Sequence, residues 1–159
     1  MKSKFILVFI LLFSLISCEE TDNTELNLDE EIISISYGTS FGECMGYCKR
    51  KIEIEGTVVK YIVSSWSVDD NYPDIEIKGT ISEQDWNSIT EKIDFIVFRN
   101  LEEVIGCPDC ADGGAEWIKV DTRKLSHKIT CEYNNPPEAV QDYIQELSEL
   151  FAEYQAKIY

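Results

Sequence analysis

The chain has 159 residues, 44% of them hydrophobic, and a formal net charge of −16 from 30 acidic and 14 basic side chains. This length suits one domain with a modest core. Such acidity keeps a protein soluble and makes nucleic acid and anionic lipid headgroups poor partners, so we expect no nucleic-acid binding.

The first 17 residues have the composition of an export signal. Lys2 and Lys4 supply a positively charged start, and residues 5–16 are apolar except for Ser14. The apolar run is too short to span a bilayer comfortably, since a transmembrane helix needs about 20 such residues. We therefore expect residues 1–17 to be a cleaved signal peptide.

The residues around position 18 carry a second signal. Leu15-Ile16-Ser17-Cys18 resembles the lipobox of bacterial lipoproteins. The resemblance implies cleavage before Cys18, a diacylglyceryl group on its thiol and acylation of the new amino terminus. Each buried methylene of such a lipid contributes about 0.8 kcal/mol, so a multi-chain anchor is effectively permanent. We expect covalent lipid on Cys18, including palmitate, attachment to a membrane, and no other cofactor.

Residues 18–31 are polar, acidic and free of aromatic side chains, which predicts a disordered tether. No basic residue occurs between Lys4 and Lys49. Acidic residues directly after a lipidated cysteine are similar to the surface-export signal of Bacteroidota-type lipoproteins. This similarity implies an anchor in the outer membrane. If the acidic residues act as the surface-export signal, it also implies a position at the cell surface.

Residues 32–159 have the pattern of one α+β domain. Alternating apolar residues predict strands over residues 32–37, 51–55, 58–64 and 74–78, and an antiparallel pair over 116–120 and 127–133. In the first strand, Ile33, Ile35 and Tyr37 fall on one side. We expect an antiparallel sheet of about six strands with two main helices packed on one face.

Two segments carry helical signals. Ser82 and Asp85 have capping-box spacing, which predicts a helix that runs to about Lys92. Pro136-Pro137 opens a C-terminal helix. We expect residues 95–101 to form a short helix or an irregular segment. The first helix is expected to bury Trp86, Ile89 and Ile93. The second carries an apolar stripe of Val140, Tyr143, Ile144, Leu147, Leu150, Phe151 and Tyr154.

Four of the six cysteines lie in two Gly-rich loops. Cys44 and Cys48 lie in residues 38–48, and Cys107 and Cys110 lie in residues 106–114. In an exported chain such cysteines are usually oxidised, so we expect two disulfides, with two local bridges or either of two cross-loop arrangements. Cys131 is in phase with Ile129 on a strand, which predicts a free, buried and inert thiol.

Two other uses of the loop cysteines stay open. Cys107-Pro108-Asp109-Cys110 is a C-x-x-C pair of the kind that performs thiol–disulfide exchange. However, the Ala111-Asp112-Gly113-Gly114 segment breaks a helix, and Asp109 and Asp112 would raise the thiol pKa. The four cysteines also have spacings within the range of a structural zinc site, although oxidation competes with zinc outside the cytosol.

Other signals of chemistry are weak. His127 is the only histidine and is expected to be an exposed strand residue. The acidic groups in the loops do not match calcium-loop spacing, and no phosphate-binding loop, nucleophile elbow or paired histidine ligands occur. We expect no enzymatic activity, no catalytic residue and no metal ligand set.

Two segments resemble a family of uncharacterised Bacteroidota-type lipoproteins. They are residues 37–48, with a G-x-C-x-G-Y-C loop, and residues 106–118, with G-C-P-D-C-A-D-G-G. The resemblance extends over roughly residues 30–155 and implies no known activity. It supports a shared functional role for the two loops. We expect them to meet at one end of the sheet, where they bind a protein or a small molecule. The candidate binding residues are Tyr37, Tyr47, Asp109, Asp112 and Trp117.

Overall fold

A computed structural model describes residues 31–67 and 70–158. The predicted signal peptide, the lipidation site at Cys18 and residues 18–30 of the predicted tether lie outside these described ranges. Within those ranges, no helix combines the length and the apolar composition needed to cross a membrane.

The described part of the chain forms a six-stranded sheet. Its strands are β1 Ile32–Ser40, β2 Lys49–Glu55, β3 Val58–Ser64, β4 Ile75–Thr80, β5 Ala115–Thr122 and β6 Ser126–Glu132. Their order in the sheet is β4-β3-β2-β1-β5-β6. All neighbouring strands are antiparallel, so β1 lies near the centre, between β2 and β5.

Three α-helices are present in the described ranges: α1 Glu83–Glu91, α2 Phe95–Phe98 and α3 Gln141–Gln155. The predicted capping box of α1 is confirmed. Ser82 Oγ accepts a hydrogen bond from the backbone N–H of Asp85, and the Asp85 carboxylate accepts one from the N–H of Ser82, both at 3.1 Å. Pro137 does not lie in α3, because a 3-10 turn over Glu138–Val140 separates them.

Helices cover one face of the sheet, where the core lies. The Phe151 ring of α3 packs edge-on against Tyr37 of β1 at 5.3 Å and against Tyr61 of β3 at 5.1 Å. The predicted stripe of α3 is buried, with Leu150 packed against the core at its margin. The expected α+β class, with two main helices on one face of an antiparallel sheet, is confirmed, although strands form most of the regular structure.

Several local expectations were wrong. Ile33 is exposed rather than buried, because β1 carries an extra residue between Ile32 and Ser34 relative to β5, and this bulge turns Ile33 outward. Of the three residues expected to be buried by the first helix, Ile89 is buried, whereas Trp86 and Ile93 are half-buried and pack at the margin of the core. His127 is half-buried too, since its ring packs on Phe98 at 5.4 Å and its Nε2 lies 3.0 Å from the carbonyl oxygen of Leu101.

Candidate functional site

The two cysteine-containing loops are each closed by a local disulfide. Cys44 is bonded to Cys48 and Cys107 to Cys110, with Cα atoms 5.6 and 5.5 Å apart. Of the three pairings that the sequence left open, the structure has the one with two local bridges. A zinc site made of these four thiolates would require both bridges to be reduced.

Side chains, not disulfides, bring the two loops together. Asp109 Oδ1 accepts a hydrogen bond from the N–H of Gly42 at 3.0 Å. The Phe41 ring lies against Gly114, which has a φ of +83°, and packs edge-on against Tyr133 at 5.1 Å. A side chain at position 114 would collide with the Phe41 ring, so glycine is required there both for its conformation and for this contact.

The Cys107–Cys110 bridge has an acidic and non-helical environment. Cys110 begins a 3-10 turn of three residues, in which Ala111 and Asp112 have φ values of 51° and 60°. Glu132 Oε1 accepts a hydrogen bond from the N–H of Cys107 at 3.0 Å. The bridge lies at a three-residue 3-10 turn and not at the N-terminus of an α-helix, which is a position that lowers a thiol pKa.

The predicted binding residues have different surroundings. Tyr37 lies in β1 and is only 3% exposed, so its side chain is not presented at the surface of either loop. Tyr47 anchors the first loop, since its hydroxyl donates to the carbonyl of Pro73 at 3.0 Å and its ring packs against Tyr72. Asp109 joins the loops, and Asp112 is exposed. Trp117 lies outside both loops, on β5.

Tyr37 belongs to a buried polar cluster that sequence reasoning missed. Its hydroxyl donates to Glu116 Oε2 at 3.0 Å, and Glu116 is only 2% exposed. Burial raises the pKa of Glu116, although hydrogen bonds from Tyr37 and the backbone of Asn134 oppose this effect. The alternation with Ile118 and Val120 was the signal that would have placed Glu116 inside.

Cys131 completes this cluster as a free, buried thiol, as predicted. Its Sγ lies 3.7 Å from the backbone carbonyl oxygen of Glu116, and the two residues are direct cross-strand partners. Burial, together with the nearby Glu116 and Glu132 carboxylates, raises the pKa of the Cys131 thiol to about 12. The thiol is therefore protonated and a poor nucleophile at neutral pH.

The face of the sheet opposite the helices holds a groove of about 570 Å³. Its floor is the end of β1 that holds Thr39 and Ser40. The other outward positions of β1 are Gly38, which has no side chain, and Ser36 and Ser34, which line a separate concavity. The neighbouring strands carry larger residues on this face. We call this concavity the sheet groove, lined by Ser40, Lys49, Lys51, Trp66, Trp117 and Lys128.

Two tryptophans shape the sheet groove. The Trp117 ring lies over Gly38, where a Cβ atom would fall 2.6 Å from ring atom Cζ2 and 2.7 Å from the carbonyl oxygen of Arg50. Trp66 is 52% exposed, and its Nε1 donates to the carbonyl of Phe41 at 2.8 Å. Trp66 thereby connects the sheet groove to the first disulfide loop.

Lysines lie against both tryptophans. Lys49 Nζ is 5.3 Å from the ring centroid of Trp66, and Lys128 Nζ is 4.4 Å from that of Trp117. Burial and the positive charge of Lys119 lower the pKa of Lys128. Trp117 is the one predicted binding residue that lines this groove. The strand register that joins these residues was not visible in the sequence.

Comparison with models of known protein families gives no match, and no curated protein matches the sequence. Within the described residues, no group of three or more histidine, cysteine, aspartate or glutamate side chains is arranged to hold a metal ion. The function is therefore inferred from the geometry of the loops and the sheet groove.

Proposed function

We propose that this protein is an exported lipoprotein, anchored to the cell envelope by lipid on Cys18, whose domain binds a ligand without catalysing a reaction. The sheet groove carries this proposal. It is a concave surface on the sheet face that the described helices leave open, lined by two tryptophans and connected to a disulfide-bonded loop. Tryptophan combines a large apolar ring with a polar N–H group, which suits a binding surface.

The arrangement of the loops supports binding more than catalysis. Asp109 and Tyr47 use their polar atoms to hold loop segments in place. The local disulfides then restrict each loop further. Rigid loops beside a preformed groove reduce the entropy lost when a ligand binds.

The anchor is tested by labelling the full chain with a palmitate analogue in a bacterial host. We expect label and membrane association in the unmodified chain and loss of both in Cys18→Ser. Cys131→Ala is the matched control, because it removes the cysteine that stays free in the described domain. Label that persists in Cys18→Ser would contradict the proposed anchor.

The binding role is tested by tryptophan fluorescence of the detergent-solubilised full chain. Trp66 and Trp117 line the sheet groove, whereas Trp86 lies on α1. In Trp86→Phe, we expect a member of a panel of acidic, neutral and basic sugars and peptides to change the remaining emission. If no member changes the emission of Trp86→Phe, or if the emission changes only in the unmodified chain, which retains Trp86, the sheet groove is not the binding site.

The Cys107–Cys110 bridge supports one alternative, a role in thiol–disulfide exchange, because both cysteines are exposed. This alternative ranks second because neighbouring carboxylates disfavour a thiolate, and because the bridge lies at a 3-10 turn and not at the N-terminus of an α-helix. Reduction of a model disulfide substrate by the reduced protein, lost in Cys107→Ser, would favour exchange over binding.

A further inference from the structure

The face of the sheet that the described helices leave open carries many of the lysines of a strongly acidic chain. The strand register and alternation point six of the 14 basic side chains outward on this face. They are Lys49, Lys51, Lys60, Lys78, Lys119 and Lys128. The same alternation points five carboxylates outward, those of Glu53, Glu55, Glu76, Asp121 and Glu132. Six positive and five negative charges leave this face close to neutral within a chain of net charge −16, so an acidic ligand meets less repulsion here than the charge of the whole chain implies.

Half of these lysines are neutralised by partners on their own strands. Lys51 pairs with Glu53 at 2.6 Å, Lys78 with Glu76 at 3.0 Å and Lys119 with Asp121 at 2.7 Å. Among the described residues, Lys49 and Lys128 form no ion pair and lie over tryptophan rings. A ring compensates a charge less fully than a carboxylate does, so these two ammonium groups keep the capacity to bind an anion.

The position of these two lysines indicates an extended ligand. Lys49 lies on β2 and Lys128 on β6, on opposite sides of the floor formed by β1. Three strand spacings separate β2 from β6, which corresponds to about 14 Å. A short chain with several acidic groups can reach both ammonium groups while each stays against its tryptophan ring.

The floor of the sheet groove indicates the chemistry of that chain. The backbone groups of β1, β2 and β5 are already paired in the sheet ladder, so a peptide backbone cannot add to this face as a further strand. The lining offers the hydroxyl groups of Ser40, Ser64 and Thr130, the two indole rings and the lysine ammonium groups. The carboxylates of Asp74 and Glu76 also line the groove, but on its β4 side, away from β1 and β5. Hydroxyl groups, aromatic faces and cations together complement the hydroxyls, C–H faces and carboxylates of an acidic sugar chain.

We infer that the sheet groove binds an acidic oligosaccharide that lies across β2, β1 and β5, with its carboxylates near Lys49 and Lys128 and its sugar rings against Trp66 and Trp117. This inference rests on the proposed binding role and adds the chemical class of the ligand. It does not depend on the lipid anchor.

The test is calorimetric titration of the detergent-solubilised full chain with a short oligogalacturonate, with a neutral glucose oligomer of equal length, and with poly-L-glutamate. We expect binding of the oligogalacturonate that is at least about tenfold tighter than that of either other probe and that weakens as salt is added. Lys49→Gln with Lys128→Gln should weaken this binding by about tenfold, since two surface ion pairs are lost.

A matched pair of substitutions controls for the change in net charge. Lys92→Gln with Lys157→Gln removes two lysines that pair with Glu146 and Glu153, away from the sheet groove. We expect oligogalacturonate affinity within about twofold of the unmodified chain, because surface charges more than a Debye length apart are largely screened. Circular dichroism of both double variants establishes that they are folded.

Each other result overturns the inference. Equal loss of affinity in the two double variants would mean that only net charge matters. Tighter binding of poly-L-glutamate or of the neutral sugar would assign the sheet groove to another ligand, and the binding role would then stand while the acidic-sugar assignment failed. Absence of oligogalacturonate binding overturns the assignment directly, and the fluorescence panel decides separately whether the groove binds anything.

Discussion

Glu116 places a carboxyl group in the core beside the Tyr37 hydroxyl. Residue type alone favours an exposed position, because glutamate is rarely buried without a partner. Tyr37 supplies that partner, and the raised pKa of Glu116 shows that burial outweighs the hydrogen bonds. The free energy of unfolding should therefore depend on pH through the titration of Glu116.

Glu116→Gln should change how stability depends on pH. Since the folded chain holds the Glu116 pKa above its unfolded value, the stability contributed by this group is full below about pH 4.3 and is lost as pH rises through the folded pKa. The variant lacks this loss, so its unfolding free energy should rise relative to the unmodified chain with increasing pH. The gain in unfolding free energy should be about 1.4 kcal/mol for each unit by which the pKa of Glu116 in the folded chain exceeds its pKa in the unfolded chain.

Urea unfolding at a series of pH values measures this effect. Glu55→Gln, at the exposed end of β2, is the control for the removal of one carboxylate from the surface. A Glu116→Gln difference that stays constant across the range would show that Glu116 titrates normally in the folded protein.

Gly38 is the second residue with a role that only its neighbours reveal. Gly38→Ala would place a methyl group against the Trp117 ring and the Arg50 carbonyl oxygen. We expect a loss of about 1–3 kcal/mol in unfolding free energy and a change in tryptophan emission, because the ring must move. Ser36→Ala, outward on the same strand, should remain within about 0.5 kcal/mol. An unperturbed Gly38→Ala would mean that Trp117 is not held against β1.

At the scale of elements, the two disulfide loops differ in how well they are protected. Cys48 is 1% exposed, whereas Cys107 and Cys110 are both exposed. Each bridge closes a very short loop, with sequence separations of 4 and 3. The chain-entropy model then gives only about 2 kcal/mol per bridge, less than the cross-loop arrangements would have contributed.

Mild reductant should open the Cys107–Cys110 bridge before the Cys44–Cys48 bridge, because thiolate attack requires access to a sulfur atom. Alkylation followed by peptide mass mapping measures the order. Cys131 provides the internal control, since its buried thiol should be labelled only after denaturation. Opening of the Cys44–Cys48 bridge first would show that burial does not protect it in solution.

At the scale of the whole molecule, acidity and the lysine-bearing sheet face act in opposite directions. With a net charge of −16, the excess acidic side chains repel one another in the folded chain, and salt screens that repulsion. The same screening weakens the attraction between the sheet groove and an acidic ligand. Stability and ligand affinity should therefore respond to salt with opposite signs.

The melting temperature of the ligand-free chain should rise by a few degrees between about 0.01 M and about 0.15 M sodium chloride, a range over which the Debye length falls to about 8 Å. Differential scanning calorimetry measures it. A melting temperature that falls with salt would show that surface ion pairs such as Lys51–Glu53 outweigh the overall repulsion.

Local patterns in the sequence were sufficient for the α+β class, the strands, the α1 capping box and the α3 stripe. These features depend on periodicities of two and 3.6 residues and on side chain to backbone hydrogen bonds within a few residues. The inward position of Cys131 followed from the same alternation. The predicted export signal and Cys18 also rest on local sequence, outside the part of the chain that the structure describes.

Only the tertiary structure decided which strands pair and what they bring together. β1 and β5 are separated by 74 residues along the chain, from Ser40 to Ala115, yet their pairing places Trp117 over Gly38 and Glu116 beside Tyr37. The choice of local disulfides was likewise open in the sequence. Alternation determines which face a residue occupies, but strand order and register determine its neighbours, and those depend on packing of the whole chain.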